Sequence, residues 1–317
     1  MSDTSRSDER RFQHVAVLMG GLSAERDVSL NSGQQCADAL EGEGYDVTRV
    51  DVGRDIADVL SGAKPDVCFN ALHGTYGEDG CIQGVLETLG LPYTHSGVLS
   101  SALAMHKQRA KDVLAAVGIP VAEGRVVSRA EAARGHPIAP PYVLKPVSEG
   151  SSVGVFIVDE TFAHPPQELH APDWPHGDRL LAERFIPGRE LTCAVIGDQP
   201  TEIIEIKPAD SLKFYNYEAK YAEGGSIHVR ANDLSPDVYQ SVQTLSVKAH
   251  QALGCRGVTR ADFRFDDRAG GDGLICLEVN TQPGMTKTSL VPELAAFGGI
   301  SFGALVRWIT EDASCMR

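Results

Sequence analysis

No two of the chain's seven cysteines form a CxxC pair; they stand at 36, 68, 81, 193, 255, 276 and 315. An odd, scattered set argues against a disulfide framework and against a zinc site, and fits reduced thiols in a cytosolic protein. No apolar run approaches about 18 residues, so no membrane span is expected. The opening MSDTSRSDERRFQ lacks the apolar centre of a signal peptide and reads as a frayed tail. Basic residues are not in excess: the net charge is −14. That argues against general nucleic-acid binding, yet leaves room for a local basic pocket that takes a phosphate-bearing small molecule. The fingerprint G-x-G-x-x-G is missing, as is the Walker pattern GxxxxGK[ST]. Internal repeats and low-complexity blocks are also missing. What remains is an ordinary globular composition, 42% hydrophobic and 23% charged, spread over 317 residues, long enough for two or three domains.

The most informative stretch is Thr259 to Thr286, TRADFRFDDRAGGDGLICLEVNTQPGMT. It predicts two strands joined by a glycine-rich turn. Side chains in a strand alternate faces, so Arg260 with Asp262, and Glu278 with Asn280, each point one way. Paired as a hairpin, they would gather one arginine, two carboxylates and an amide on one side. Such oxygen donors suit Mg²⁺, which needs few protein ligands when phosphates supply the rest. A surface hairpin with a solvated acidic face is the alternative. Against it, Leu274, Ile275, Leu277 and Val279 predict a largely buried strand, where Glu278 needs a partner.

Upstream, apolar runs at 14–19, 45–50 and 67–72 alternate with helical stretches, which predicts a parallel sheet with helices on its faces. Ligands in such sheets bind at the carboxyl ends of strands. Gly20-Gly21 and the loop at 73–80 stand there, and Ser23 is placed to cap the helix that runs to about Leu40. A helix is expected from about Ser100 to Val117, carrying Lys107, Arg109 and Lys111. Tyr142–Pro146 reads as a strand ending in Lys145-Pro146. A Gly/Ser loop and a second strand, Val153 to Val158, follow it, a hairpin flap whose backbone N–H groups can approach phosphate. Strands are expected at 180–186 and 190–196. An aromatic, polar loop from Lys207 to Ser226 has the composition of a lid or of a packed surface loop. A helix at about 237–253 precedes the hairpin, and a short one at about 302–309 closes the chain. Taken singly, His73 and Lys107 read first as ordinary structural or solvated side chains, and Glu183 and Glu190 read equally as ordinary surface acids.

Six blocks, in order, change the weight of these features: GGLSAERDVS at 20–29, HGTYGEDG at 73–80, KPVSEGSSVGV at 145–155, YNYEAKY at 215–221, TRADF at 259–263 and LEVNTQPGMT at 277–286. With them the chain resembles the D-alanine–D-alanine ligases of the ATP-grasp superfamily. The resemblance implies an α/β protein, α+β in its ATP-grasp part, with three domains. These are an N-terminal parallel-sheet pre-ATP-grasp substrate domain (1–99), a central lid domain (100–187) and a C-terminal catalytic domain (188–317), with ATP between the last two. It implies ATP-dependent joining of two D-alanines for peptidoglycan through an acyl phosphate.

The site residues implied by the resemblance are these. Lys107 and Lys145 match lysines on the nucleotide phosphates, and Glu149, Ser152 and Lys220 belong to the same ATP-binding set. Glu183 and Glu190 match acids that read adenine and ribose, with Arg184, Phe185 and Ile186 in the hinge; Arg184 stands where many relatives have lysine. Asp262, Glu278 and Asn280 match ligands of two Mg²⁺ ions, with Mn²⁺ as a substitute. Arg260 and the backbone of Gly284 face the moving phosphoryl group. Glu25, Ser151 and Tyr221 match the trio that orients the first D-alanine, which makes Ser151 a positioning partner rather than an acylated residue. His73 lies near a substrate carboxylate, and Ser289 and Leu290 touch the second D-alanine. The family pattern further implies a cytoplasmic homodimer whose partners are D-alanine and ATP, with neither nucleic acid nor membrane. The sister reading is an ATP-grasp ligase for another amino or hydroxy acid, and the third a non-catalytic nucleotide-binding relative.

Overall fold

The structure is a computed structural model that describes residues 10–150, 153–208 and 226–315. The strands in chain order are β1 (His14–Met19), β2 (Asp46–Asp51), β3 (Val67–Asn70), β4 (Gly124–Ser128), β5 (Tyr142–Pro146), β6 (Phe156–Val158), β7 (Arg179–Arg184), β8 (Arg189–Ile196), β9 (Gln199–Pro208), β10 (Ser226–Arg230), β11 (Val258–Phe265) and β12 (Leu274–Asn280). The helices are α1 (Arg26–Gly42), α2 (Ile56–Ala63), α3 (Cys81–Leu89), α4 (Val98–Met105), α5 (Lys107–Ala116), α6 (Arg129–Arg134), α7 (Pro236–Ala252), α8 (Leu290–Phe297) and α9 (Phe302–Asp312). Backbone packing divides the chain into two units.

The first unit takes the chain up to Val98, Arg256–Val258 and everything from Gln282 onward. Its sheet is parallel, in the order β2-β1-β3. β1 is central and buried on both faces, and so carries an unbroken apolar run, Val15 to Leu18, with no exposed surface. Ile56, Leu60, Ile82 and Leu86 from α2 and α3 join Ala16, Leu18 and Cys68 in one core. The carboxyl ends of β1 and β3 lead into Gly20-Gly21 and the 73–80 loop.

The second unit holds Leu99–Cys255 and Thr259–Thr281. It contains a four-stranded sheet, β4-β7-β5-β6, paired antiparallel throughout. A second sheet runs β10-β9-β8-β11-β12. Tyr142, Leu144, Leu180 and Ala182 form the core of the smaller sheet with Ala132 of α6. The larger sheet packs Leu191, Cys193, Ile203, Phe263 and Val279 against Ala110 and Leu114 of α5 and Val238, Val242 and Ala249 of α7.

Several expectations change. The helix expected over 100–117 breaks into α4 and α5 because His106 adopts an extended conformation (φ −89°, ψ 91°), and its ring accepts a hydrogen bond from the Arg109 N–H. Lys107 thereby becomes the first residue of a helix. Ser23 is not the N-cap of α1. That position belongs to Glu25, and the Ser23 hydroxyl accepts from the Glu25 N–H and donates to the His73 carbonyl. The strand expected from Val153 starts at Phe156. The aromatic loop narrows at both ends, since Lys207 and Pro208 belong to β9 and Ser226 opens β10; residues 209–225 lie outside the described residues. One sheet falls in each stretch expected as a domain, while α8 and α9 group with the first unit.

Candidate active site

β11 and β12 pair antiparallel, with Arg260 opposite Asn280 and Asp262 opposite Glu278, and a register shift follows Asp262. The four polar side chains therefore share one face of the hairpin, as the alternation of residues requires. Arg260 grips Asp262 with two parallel bonds, Nε to Oδ1 at 2.9 Å and Nη2 to Oδ2 at 2.7 Å, the strong fork-to-carboxylate geometry. The buried Thr192 hydroxyl on β8 donates to the same Oδ1 at 2.7 Å. Asp262 is thus aimed by two side chains before any ligand arrives. The donor set, two carboxylates and an amide, fits a hard cation, and each carboxylate oxygen can accept more than one contact. Among the described residues no cluster of three or more His, Cys, Asp or Glu side chains is gathered as a metal site. The oxygen donors that this hairpin face offers are those of Asp262, Glu278 and the Asn280 amide.

Lys107 Nζ donates to the Glu149 carbonyl and lies 4.0 Å from Glu278 Oε2. Lys145, at the end of β5, pairs with Glu183 Oε1 at 2.5 Å, and Lys111 on α5 pairs with Glu183 Oε2 at 2.6 Å. All three side chains are buried. Burial pushes the Glu183 carboxyl up, but the ammonium groups of Lys145 and Lys111 outweigh it and hold it below its ordinary value. For Lys145, burial is outweighed by the charges of Glu183 and Glu278, so its ammonium stays protonated.

The hinge after β7 is tied down by its backbone. The Arg184 N–H donates to the Glu123 carbonyl and the Phe185 N–H to that of Pro141. Arg264 on β11 then gathers the segment: it donates to the carbonyls of Ile186 (3.1 Å) and Gly188 (2.7 Å), pairs with Glu190 at 3.4 Å and lies against the Phe185 ring.

In the first unit, Glu25 is buried at the start of α1, and its carboxylate lies beside Gly74. A side chain at Gly74 would place its Cβ 2.5 Å from Glu25 Oε2, and the backbone there is left-handed (φ +69°). His73 is also buried, its Nδ1 3.2 Å from Glu78 Oε1 and its Nε2 3.1 Å from Ser32 Oγ. Asn70, at the end of β3, organises two loops. Its amide donates to the Gly77 carbonyl at 3.0 Å and to Gln282 Oε1 at 3.2 Å, and Gln282 donates back to the Asn70 carbonyl. The Ser289 hydroxyl, just before α8, accepts from the Thr286 N–H at 3.0 Å, and a Cβ on Gly284 would stand 3.1 Å from it; Leu290 is buried as the first residue of α8. A cavity of about 210 Å³ opens by the carboxyl ends of the strands, lined by Gly20, Gly21, Leu72, His73, Tyr76 and Cys81 among others.

Within the second unit the structure brings together Arg260 with Asp262, Lys107 with Glu149 and Glu278, and Lys145 with Glu183. Within the first it places Gly284 beside Ser289. Ser151, Ser152, Lys220 and Tyr221 lie outside the described residues. Sequence reasoning missed the partners: Lys111, Thr192, Arg264, Asn70 and Gln282. A lysine in the middle of a helix and a threonine within a strand carry no local signal of a distant carboxylate.

Comparison with known proteins supplies the family. The family model described as D-ala D-ala ligase C-terminus matches residues 113–311, and that described as D-ala D-ala ligase N-terminus matches residues 57–96. The chain is 65% identical to the D-alanine–D-alanine ligase of Methylobacterium radiotolerans over 306 residues, covering 96% of this chain and 99% of that one. It is 66% identical to that of Xanthobacter autotrophicus over the same shares. Among solved structures it is similar to the D-alanine–D-alanine ligase from Bacillus anthracis, with a TM-score of 0.78 at 32% identity over 95% of this chain and 97% of that one. The same enzyme complexed with ATP gives a TM-score of 0.76 at 31% identity, covering 95% and 96%. On residues and architecture alike, the chain belongs to the D-alanine–D-alanine ligase family.

Proposed function

We propose that this protein joins two D-alanine molecules into D-alanyl-D-alanine for peptidoglycan synthesis, converting ATP to ADP and phosphate. The observation that carries the reading is the agreement of nearly full-length identity to D-alanine–D-alanine ligases with a hairpin face of arginine, two acids and an amide. A carboxylate is a poor electrophile. One carboxylate oxygen of the first D-alanine takes the γ-phosphoryl group, and ADP leaves. The amine of the second D-alanine then attacks the acyl carbon, the C–O single bond to the phosphoryl group breaks, phosphate leaves with that electron pair, and the amine nitrogen gives up a proton. Both steps need reactants held in place and negative charge neutralised more than they need a protein nucleophile.

The residues have matching work. Lys107 and Lys145 bind phosphate oxygens, with Glu149, Ser152 and Lys220 completing the ATP contacts. Glu183, Glu190 and the 184–186 hinge hold the nucleoside. Arg260 and the Gly284 N–H face the transferring group. Glu25, Ser151 and Tyr221 orient the first D-alanine, His73 faces a substrate carboxylate, and Ser289 with Leu290 contact the second D-alanine. Asp262, Glu278 and Asn280 would hold two Mg²⁺ ions, which supply charge neutralisation on the phosphates. The three-domain arrangement, a homodimer and a cytoplasmic setting without membrane or nucleic-acid partners follow from the same family reading.

Purified protein with ATP, Mg²⁺ and D-alanine is expected to release phosphate and form the dipeptide; the absence of D-alanine-dependent turnover overturns the reading. Glu278→Gln and Arg260→Ala are each expected to lower turnover by about a hundredfold or more while circular dichroism stays native. Near-normal turnover in either variant removes that residue from its role.

A further inference from the structure

Lys111 lies one helical turn beyond Lys107 on α5, buried to 4% exposure. A buried ammonium is costly unless paired, and here it is paired with Glu183. Yet Glu183 already has a partner in Lys145. One carboxylate needs only one cation. Glu183 therefore keeps a cation if either lysine turns away, and Lys145 also feels the charge of Glu278.

The two lysines stand differently in the chain. Lys145 is the next-to-last residue of β5, one residue before the strand gives way to a loop, while Lys111 projects from the middle of a helix whose neighbours Ala110 and Leu114 are core. A strand end beside a loop leaves a side chain freer to turn than the middle of a packed helix, so Lys145 is the lysine suited to reach a phosphate and Lys111 the one suited to stay. If Lys145 turned to a nucleotide without Lys111 present, Glu183 would be left as an unpaired buried carboxylate, which costs far more than the pair itself contributes.

We propose that Lys111 is a positioning residue for the nucleotide: it holds Glu183 ionised and in place, so that Lys145 is released to the phosphates without stranding a buried carboxylate. The proposal rests on the reading above that Lys145 and Glu183 face ATP. Two consequences follow. Lys111 acts on ATP and not on D-alanine. It also sharpens base choice, because a fixed, ionised acceptor favours the exocyclic amine of adenine over the exocyclic oxygen of guanine.

Wild-type protein is assayed first for D-alanine-dependent ADP release; failure at that stage strikes the functional reading, and ATP affinity measured by calorimetry without D-alanine still addresses Lys111. Lys111→Met is then expected to raise the KM and Kd for ATP about tenfold or more. The KM for D-alanine should stay within about twofold, and the preference for ATP over GTP should fall about tenfold. Lys111→Arg, which keeps the charge, is expected to recover ATP affinity to within about threefold. In a Glu183→Gln background, Lys111→Met should change ATP affinity by less than about threefold, because the residue acts through Glu183. If Lys111→Met fails to fold, Lys111→Gln carries the same comparison. Unchanged ATP affinity in the neutral variant, an equal loss for D-alanine, no recovery with arginine, or fully multiplicative effects with Glu183→Gln each overturn the proposal.

Discussion

Asp262 shows how a single side chain of the proposed metal site is set by residues far away in sequence. Its pairing with Arg260 is legible, because the two are separated by two positions in a strand. Its third contact, Thr192, is 70 residues away and invisible until the strands are neighbours. Thr192→Val keeps the shape and removes one donor. Turnover is expected to fall about tenfold, with a higher Mg²⁺ requirement and an unchanged fold; unchanged Mg²⁺ dependence would count against this role. His95 is a second case. Burial, aided by the nearby His73 and Arg256 charges and opposed by the Val258 backbone, pulls its imidazole down to about 4 from an ordinary 6.5. The unfolded chain takes up that proton first, so stability is full above about pH 6.5 and is lost as pH falls toward about 4, by roughly 3 kcal/mol. Its backbone is left-handed (φ +66°), which makes asparagine the tolerated replacement. In denaturant unfolding at several pH values, His95→Asn should show a smaller loss of stability across that window; an identical pH profile would remove His95 from the account.

At the scale of elements, local pattern carried the strands that are short, apolar and bounded by glycine, and it carried the β11–β12 hairpin and the shared face of its four polar residues. It did not carry β9, whose Glu202, Glu205 and Lys207 alternate with isoleucines beside two prolines and leave no clean apolar run. Nor did it mark the break at His106, since caps are read from Ser, Thr, Asp or Asn and histidine is not among them. Gly33 tests how far propensity alone governs. It lies mid-helix in α1, where alanine is intrinsically favoured by about 1 kcal/mol. A Cβ there would stand 2.4 Å from the Met19 Cβ of β1, backbone-anchored on both sides and unable to swing away. Gly33→Ala is therefore expected to destabilise by about 1–3 kcal/mol, with overpacking winning over propensity. A raised thermal midpoint would show that α1 can lift from the sheet without cost.

For the whole molecule, contiguity was the weak guide. The sequence reads residues 188–317 as one C-terminal stretch, whereas α8 and α9 pack with the first unit, α9 against α1 and β3. An amphipathic pattern says which face of a helix is buried and not which sheet receives it. The chain thus crosses from one unit to the other between Thr281 and Gln282, just after the hairpin carrying Asp262, Glu278 and Asn280. The proposed nucleotide and metal contacts among the described residues fall in the second unit, and Glu25, His73, Gly284, Ser289 and Leu290 fall in the first. If the work is divided this way, ligands should protect different amides. A ligand held at a hundred times its Kd stabilises the segment it binds by about 2.7 kcal/mol, which slows exchange by about a hundredfold where opening limits it. D-Alanine alone is expected to slow amide exchange at 20–29, 73–80 and 284–290. ATP with Mg²⁺ is expected to slow it at 142–150, 179–190 and across β11 and β12. Protection of the second unit by D-alanine alone, or of the 20–29 and 73–80 loops by ATP alone, would overturn the division.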